Sequence, residues 1–211
     1  MIYVTSDEHL QGGLSPQQER LKRAFDLLVS TLGLLFFGWL ILFSFVAATI
    51  DTGSNGFFRQ IRIGRYGKPF RVFKLKTMRH SDDITTSVTT KNDPRITRLG
   101  RFFRRTKLDE LPQLINVFLG QMSLVGPRPD VPGFADKLEG EDRLILTVRP
   151  GITGPATLKY RNEEELLAEQ PDPETYNRDI IFVDKVRLNR EYVQTYSFAK
   201  DIGYIVETVL G

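Results

Sequence analysis

The chain has no cysteine. That absence excludes a disulfide framework, thiolate nucleophiles and cysteine-ligated metal. Histidine is nearly missing too, two in 211 residues. His9 and His80 lie in polar segments, and neither is a candidate for catalysis. The sequence contains no Walker loop, no dinucleotide fingerprint and no internal repeat, so it carries none of the signatures of P-loop, Rossmann or solenoid proteins. What remains is a chain long enough for one domain with a sizeable core.

Charge is unevenly spread. Residues 59–109 hold 15 Lys/Arg against 4 Asp/Glu, a net of +11, whereas residues 130–211 hold 10 against 16, a net of −6. A basic half calls for anionic partners: a membrane surface, nucleotide phosphates or nucleic acid. Residues 1–19 read as a polar arm. Ser15-Pro16 is a helix start, with Ser as N-cap and Pro in the first turn. From Leu27 to Ile50 there are 24 residues without a charge. As a helix they reach about 36 Å, enough for a hydrocarbon core of about 30 Å. The run is too long for a cleaved signal peptide, and a polar arm precedes it. Arg20, Lys22 and Arg23 lie before it, and Arg59, Arg62, Arg65 and Lys68 after it. The positive-inside rule places both flanks in the cytoplasm. Asp26 is expected to pair with Arg23 or Lys22 at the membrane edge, or to be an ordinary edge charge.

Phe57 to Met78 alternates around Gly64 and Gly67-Lys68-Pro69, which predicts a β-hairpin. Residues 80–93 read as a mobile polar loop. Asn92-Asp93-Pro94-Arg95 starts a helix in which Ile96, Leu99, Phe102 and Phe103 alternate with arginines. It either lies on a membrane or faces the core. Arg101 to Asp130 then concentrates the chemistry. Asp109 and Glu110 are adjacent, and such a pair is common on any solvated helix. Here Leu108, Leu111, Leu114, Ile115 and Phe118 recur at helical spacing, and Pro112 suits a first turn. The pair is therefore expected at a helix N-terminus, the end that attracts phosphate. Arg104, Arg105 and Lys107 beside it favour ionised carboxylates. Two ionised oxygen donors in such surroundings suggest a magnesium ligand and a nucleophile. Gly126-Pro127-Arg128-Pro129 fixes the backbone around one guanidinium, and Arg149-Pro150-Gly151-Ile152-Thr153-Gly154 forms a second rigid turn. Glu163 to Glu169 reads as a solvated helix start. Helical patterns follow from about Ile180 to Val209.

The stretch RRTKLDELPQLINVFLGQMSLVGPRP resembles the signature of the bacterial sugar transferases, the monotopic phosphoglycosyl transferases of polyprenol-linked glycan synthesis. The resemblance runs from about Lys22 to near the C-terminus. It includes FFRQIRIG, Lys74-Leu75-Lys76-Thr77-Met78, the second rigid turn and the final SFAKDIGYIVETV. It implies an α+β, mostly helical protein with a re-entrant membrane helix (residues 20–51). A cytoplasmic catalytic domain (residues 52–211) would follow, with a short hairpin and interfacial amphipathic helices. The implied reaction moves a sugar 1-phosphate from a UDP-sugar to a polyprenol phosphate, undecaprenyl phosphate in bacteria, and releases UMP. Asp109 is the implied nucleophile and Glu110 its partner, both also ligands to Mg²⁺, for which Mn²⁺ could substitute. Arg104, Lys74 and Lys76 are implied substrate contacts, and Pro127, Arg128 and Pro129 are implied to hold the uridine nucleotide.

The resemblance also implies the inner membrane as location, an active site on its cytoplasmic face, membrane lipid as a partner, a possible homodimer and no nucleic acid. The chain departs from the family pattern in three places. Gly38-Trp39 stands where a Ser-Pro helix breaker is expected, Pro155 to Tyr160 where relatives resemble Ala-Gln-Val-Asn-Gly, and Val183 where proline is usual. The second departure leaves sugar specificity open. Two other readings stay open from the residues alone. One is a membrane-anchored basic module for nucleic acid or anionic lipid, and the other a glycosyl transferase that releases UDP.

Overall fold

A computed structural model describes residues 13–80 and 93–211. The expected arm and polar loop therefore lie largely outside the described residues. The first element, α1 (Pro16–Thr52), starts at a capping box. The Ser15 side chain accepts from the Gln18 amide, and Gln18 accepts from the Ser15 amide. Two otherwise unsatisfied donors are thereby bonded at the helix start. The helix ends at Gly53 in the left-handed conformation, φ 66°. It is long and apolar enough to cross a membrane by length and composition.

No break occurs at Gly38-Trp39, and α1 is one uninterrupted helix. Glycine there leaves open space where a Cβ would lie, and unlike proline it removes no backbone hydrogen bond. One face of α1 is buried toward its two ends, at Lys22, Asp26 and Ser30 and at Ile41, Ser44 and Ala48, with no buried residue at positions 31–40. The opposite face leaves Leu28, Leu35, Phe36, Trp39, Phe43 and Ile50 exposed.

The hairpin is as the alternation predicts. Strands β1 (Phe57–Ile63) and β2 (Pro69–Leu75) pair antiparallel, Phe57 opposite Leu75 and Ile63 opposite Pro69. It runs alongside α1. At one end the Phe57 ring packs on Phe45, with centroids 4.6 Å apart. At the other end Arg65 forms an ion pair with Glu19 and donates to the Thr147 carbonyl at 2.7 Å. Both ends of α1 are therefore tied to one hairpin.

Next come α2 (Arg98–Arg105), α3 (Gln113–Phe118) and the three-residue strands β3 (Ser123–Val125) and β4 (Gly151–Thr153). In α2, Phe103 is buried beside Ala48 and Leu75, while Phe102 is exposed. One helix thus serves both the core and the surface. Val72, Leu114, Val117, Met122, Val125 and Tyr192 form the main core. Each such side chain contributes roughly 1.5–3 kcal/mol by leaving water. Asn116, fully buried, accepts from the Phe73 amide at 3.0 Å and donates to the Arg71 carbonyl at 2.8 Å. It thereby satisfies the edge of β2.

The C-terminal third adds α4 (Pro155–Lys159), α5 (Glu163–Ala168), α6 (Pro173–Tyr176), α7 (Phe182–Gln194) and α8 (Phe198–Leu210). The last of these closes on the base of α1, where Lys22 donates to Asp201 at 2.5 Å and Tyr192 to the other Asp201 oxygen at 2.8 Å. Asp26 does not form the expected pair with Arg23 or Lys22. It accepts instead from the Leu124 amide at 2.9 Å and Ser123 Oγ at 3.1 Å. Arg23 donates to the carbonyls of Val117 and Phe118 at 2.6 and 2.8 Å. The reason is tertiary: β3 and α8 bring better-placed partners than the neighbouring turn.

Candidate active site

The carboxylate pair lies in a tight turn rather than at the start of a long helix. α2 ends at Arg105, Lys107 adopts a left-handed backbone with φ 58°, and a single 3-10 turn, Leu108–Glu110, precedes α3. Non-glycine residues in that region are uncommon and cluster at functional sites. The six-residue α3 begins after Pro112, and periodicity misjudged its faces. Gln113, Leu114, Asn116 and Val117 are buried, and Phe118 is exposed.

Phe70, Val72 and Lys74 share the hairpin face on which α3 packs. That packing sets Glu110 against Lys74. Lys74 Nζ donates to Glu110 Oε1 at 2.7 Å, and Arg128 Nη2 reaches the same oxygen at 3.4 Å. Burial pushes the Glu110 carboxyl up, but Lys74 and Arg128 reverse this and hold it well below the usual carboxylate range. Glu110 is thus an anchored anion. Asp109 differs: it is 8% exposed, and its Oδ1 is buried with no hydrogen-bond partner among the described residues. Burial, and then the neighbouring Glu110, raise its pKa against the pull of Lys74, Arg104 and Lys107. A carboxylate oxygen that is desolvated and unpartnered is costly, and such exceptions mark chemistry or a missing ligand.

The two rigid turns prove to be one structure. β3 and β4 are parallel, and the turns beyond them cross backbone to backbone. The Gly151 amide donates to the Pro127 carbonyl at 2.8 Å, and the Gly126 amide to the Thr153 carbonyl at 2.9 Å. A Cβ on Gly151 would lie 2.1 Å from the Gly126 nitrogen, so glycine is required there. Pro129 is held from the other side, its carbonyl accepting from Arg62 Nη1 at 3.1 Å. Arg128 is thereby aimed at Glu110 by a backbone fixed on both flanks.

Two of the expected contacts have internal partners. Lys76 Nζ donates to Ser54 Oγ at 2.7 Å, toward the end of α1. β2 stops at Leu75, so strand alternation does not carry Lys76 onto the face of Lys74. Arg104 lies near Asp109 but is engaged by Thr77 Oγ1 at 3.1 Å and Glu164 at 2.8 Å. Glu163, read as solvated, binds Lys185 Nζ at 2.7 Å. Sequence reasoning counted Arg62 only as a basic flank and missed Asp130, Glu163 and Lys185. Their placement depends on contacts between segments far apart in sequence.

The residues fit a small hard cation. Among the described residues no group of three or more His, Asp or Glu could hold a metal, but magnesium commonly uses one or two carboxylates and completes its shell with substrate phosphates. Asp109, with its unpartnered oxygen, and Glu110 meet that requirement.

A model of the family described as "Bacterial sugar transferase" matches residues 17–211. The chain is 36% identical over 203 residues to a UDP-glucose:undecaprenyl-phosphate glucose-1-phosphate transferase of Escherichia coli (strain K12), covering 93% of this chain and 41% of that protein. It is 34% identical over 189 residues to an uncharacterized sugar transferase, EpsL, of Bacillus subtilis (strain 168), covering 90% of this chain and 85% of that one. An undecaprenyl-phosphate galactose phosphotransferase of Salmonella typhimurium is 32% identical over 229 residues, 99% of this chain and 44% of that protein. The chain thus spans less than half the length of the Escherichia coli and Salmonella typhimurium relatives. With the match running through the carboxylate pair, both rigid turns and the final helix, the chain belongs to the bacterial sugar transferase family.

Proposed function

We propose that the protein transfers a sugar 1-phosphate from a UDP-sugar to a polyprenol phosphate, releasing UMP, through a covalent intermediate on Asp109. The observation that carries this reading is the contrast within the pair: Glu110 is tied by Lys74 and Arg128, while Asp109 keeps a buried oxygen unpartnered. An Asp109 oxygen attacks the phosphorus bonded to the sugar. The bond from that phosphorus to the bridging diphosphate oxygen breaks, and UMP departs. A phosphate oxygen of the polyprenol phosphate then attacks the same phosphorus, forming a diphosphate and freeing the Asp109 carboxylate. Lys74 and Arg128 supply fixed positive charge to a site that receives phosphates. Arg104 links α2 to Thr77 and α5 and positions the turn that carries Asp109. Magnesium, held by Asp109 and Glu110, would add charge against the diphosphate.

The basic segment has a use within the molecule. Arg62, Arg65, Lys74, Lys76 and Arg104 all bind internal partners. That weighs against a module whose cations serve only an external polyanion. The nucleotide product decides between the transferase readings. With UDP-glucose or UDP-galactose, undecaprenyl phosphate and Mg²⁺, UMP is expected, and excess EDTA should abolish turnover. UDP as product would replace this reading with a glycosyl transfer, and full activity in EDTA would remove the metal.

The location is proposed on the same footing: the bacterial inner membrane, with the site on the cytoplasmic face. The hairpin that flanks α1 carries Arg59, Arg62, Arg71 and Lys74. A transverse α1 would draw those charges into hydrocarbon, at about 2.5–3.5 kcal/mol each at the bilayer centre. An α1 with both flanks on one side avoids that cost. Single cysteines at Gln18 and Asn55 should therefore both react with reagent from the cytoplasmic side. Labelling of the Gln18 position solely from the outside would show a spanning helix instead.

A further inference from the structure

Beyond the carboxylate pair, a second charged group extends past the Pro127-Arg128-Pro129 turn, and the reaction above makes no use of it. Its centre is Asp130. The Asp130 carbonyl accepts from the Ile63 amide at 2.9 Å, and the preceding carbonyl, of Pro129, accepts from Arg62. The backbone that carries the Asp130 side chain is thus tied to the end of β1. The side chain is half-buried, and among the described residues its carboxylate has no hydrogen bond or ion pair of its own.

Three cations act on it electrostatically, Lys185 most strongly, then Arg62 and Arg128. Each has another partner. Lys185 is bonded to both Glu163 oxygens at 2.7 and 2.8 Å, Arg62 to Gln60 at 2.6 Å, and Arg128 to Glu110. Burial pushes the Asp130 carboxyl up to about 6. A carboxylate held on fixed backbone, short of partners and within the field of the active-site arginine is suited to accept hydrogen bonds from a ligand that reaches past Arg128.

We infer that Asp130 is a binding residue for a vicinal diol of the nucleotide-sugar donor, at a subsite bounded by Arg62, Lys185 and Glu163. A carboxylate accepts from two neighbouring hydroxyls at once, and the Lys185–Glu163 pair bounds the subsite with one donor and one further acceptor. The donor carries such diols on ribose, at O2′ and O3′, and on the hexose, at O2/O3 and at O3/O4. The inference rests on the donor being a UDP-sugar, as proposed above.

The test compares wild type with Asp130→Asn, which keeps size but replaces one acceptor oxygen with a donor. Donors are UDP-glucose, UDP-galactose and the 2′-deoxyuridine analogue of UDP-glucose. KM for UDP-glucose should rise about tenfold in the variant, the loss expected for one charge-assisted hydrogen bond, with a smaller effect on kcat. If the hexose O3/O4 diol is bound, the variant narrows the difference between glucose and galactose donors, which are epimers at C4. If the O2/O3 diol is bound, KM rises alike for both and the ribo–deoxy difference is unchanged. If the ribose diol is bound, it narrows the difference between ribo and deoxy donors.

Asp130→Ser serves as a second variant, and the melting temperature of each checks the fold. Calorimetric binding of UDP-glucose keeps the two claims separate. A wild type that binds donor but releases no UMP counts against the transferase reading. Equal donor affinity and equal KM in wild type and both folded variants overturns the diol subsite.

Discussion

The base of α1 and the carboxylate pair are both charged clusters buried in the same small protein, and they are built in opposite ways. At the base of α1, both oxygens of Asp201 are taken, by Lys22 and Tyr192, and Asp26 accepts from Ser123 and Leu124. Every element there is a helix or strand that must stay docked. At the pair, Glu110 is held by Lys74 and Arg128, while Asp109 Oδ1 has nothing. A satisfied buried network fixes geometry, and a partly satisfied one marks where something else must bind. Charge and burial alone do not identify the active site here. An unpartnered carboxylate oxygen does: among the described residues the other buried side-chain atoms without a partner are hydroxyl or amide oxygens, the Tyr196 hydroxyl beside Lys22 included.

If the first cluster is purely a clasp, breaking it should cost stability and little else. Lys22→Met leaves Asp201 buried with only Tyr192, a loss of about 3–5 kcal/mol typical of a broken buried pair. Denaturant unfolding in detergent would measure it, and adding Asp201→Leu should recover much of the loss. A Lys22→Met protein of wild-type stability would erase the distinction between the clusters.

Asp130 sharpens the comparison from between the two. Its carboxyl titrates at about 6, raised by burial against Lys185, Arg62 and Arg128. The folded state therefore holds that proton more tightly than the unfolded chain. The resulting stabilisation is complete below about pH 4 and is lost as pH rises through about 6. Asp130→Asn should flatten the stability profile in that window by about 2 kcal/mol, read from melts across the range. A profile unchanged by the substitution would place Asp130 outside the buried charge system.

Much of this was legible in the sequence because it is local. The Ser15-Pro16 start, the uncharged run to Ile50, the alternation around Gly67 and the rigid Gly126 to Pro129 turn depend on neighbouring residues and appear as read. What could not be read depends on contacts across the chain. Lys22 and Asp201 are 179 positions apart, and Asn116 bonds a strand 43 to 45 positions earlier. Both rigid turns are visible in the sequence, but nothing local says that they pair through β3 and β4. Helical periodicity from Leu108 to Phe118 suggested one helix. Lys107 in the left-handed region and Pro112 divide that stretch into a turn, which carries both Asp109 and Glu110, and a short helix. Lys76, a substrate contact by resemblance, lies just past the end of β2 and bonds Ser54, a contact that no local pattern foretells.

The central claim is that Asp109 carries the sugar phosphate. Incubating the protein with UDP-sugar and Mg²⁺, without polyprenol phosphate, and weighing its peptides tests this most directly. The account predicts a gain of one sugar phosphate on the peptide containing Asp109, and neither adduct nor turnover in Asp109→Asn. An Asp109→Asn protein that still turned over at near the wild-type rate, or an adduct on any other residue, would contradict it.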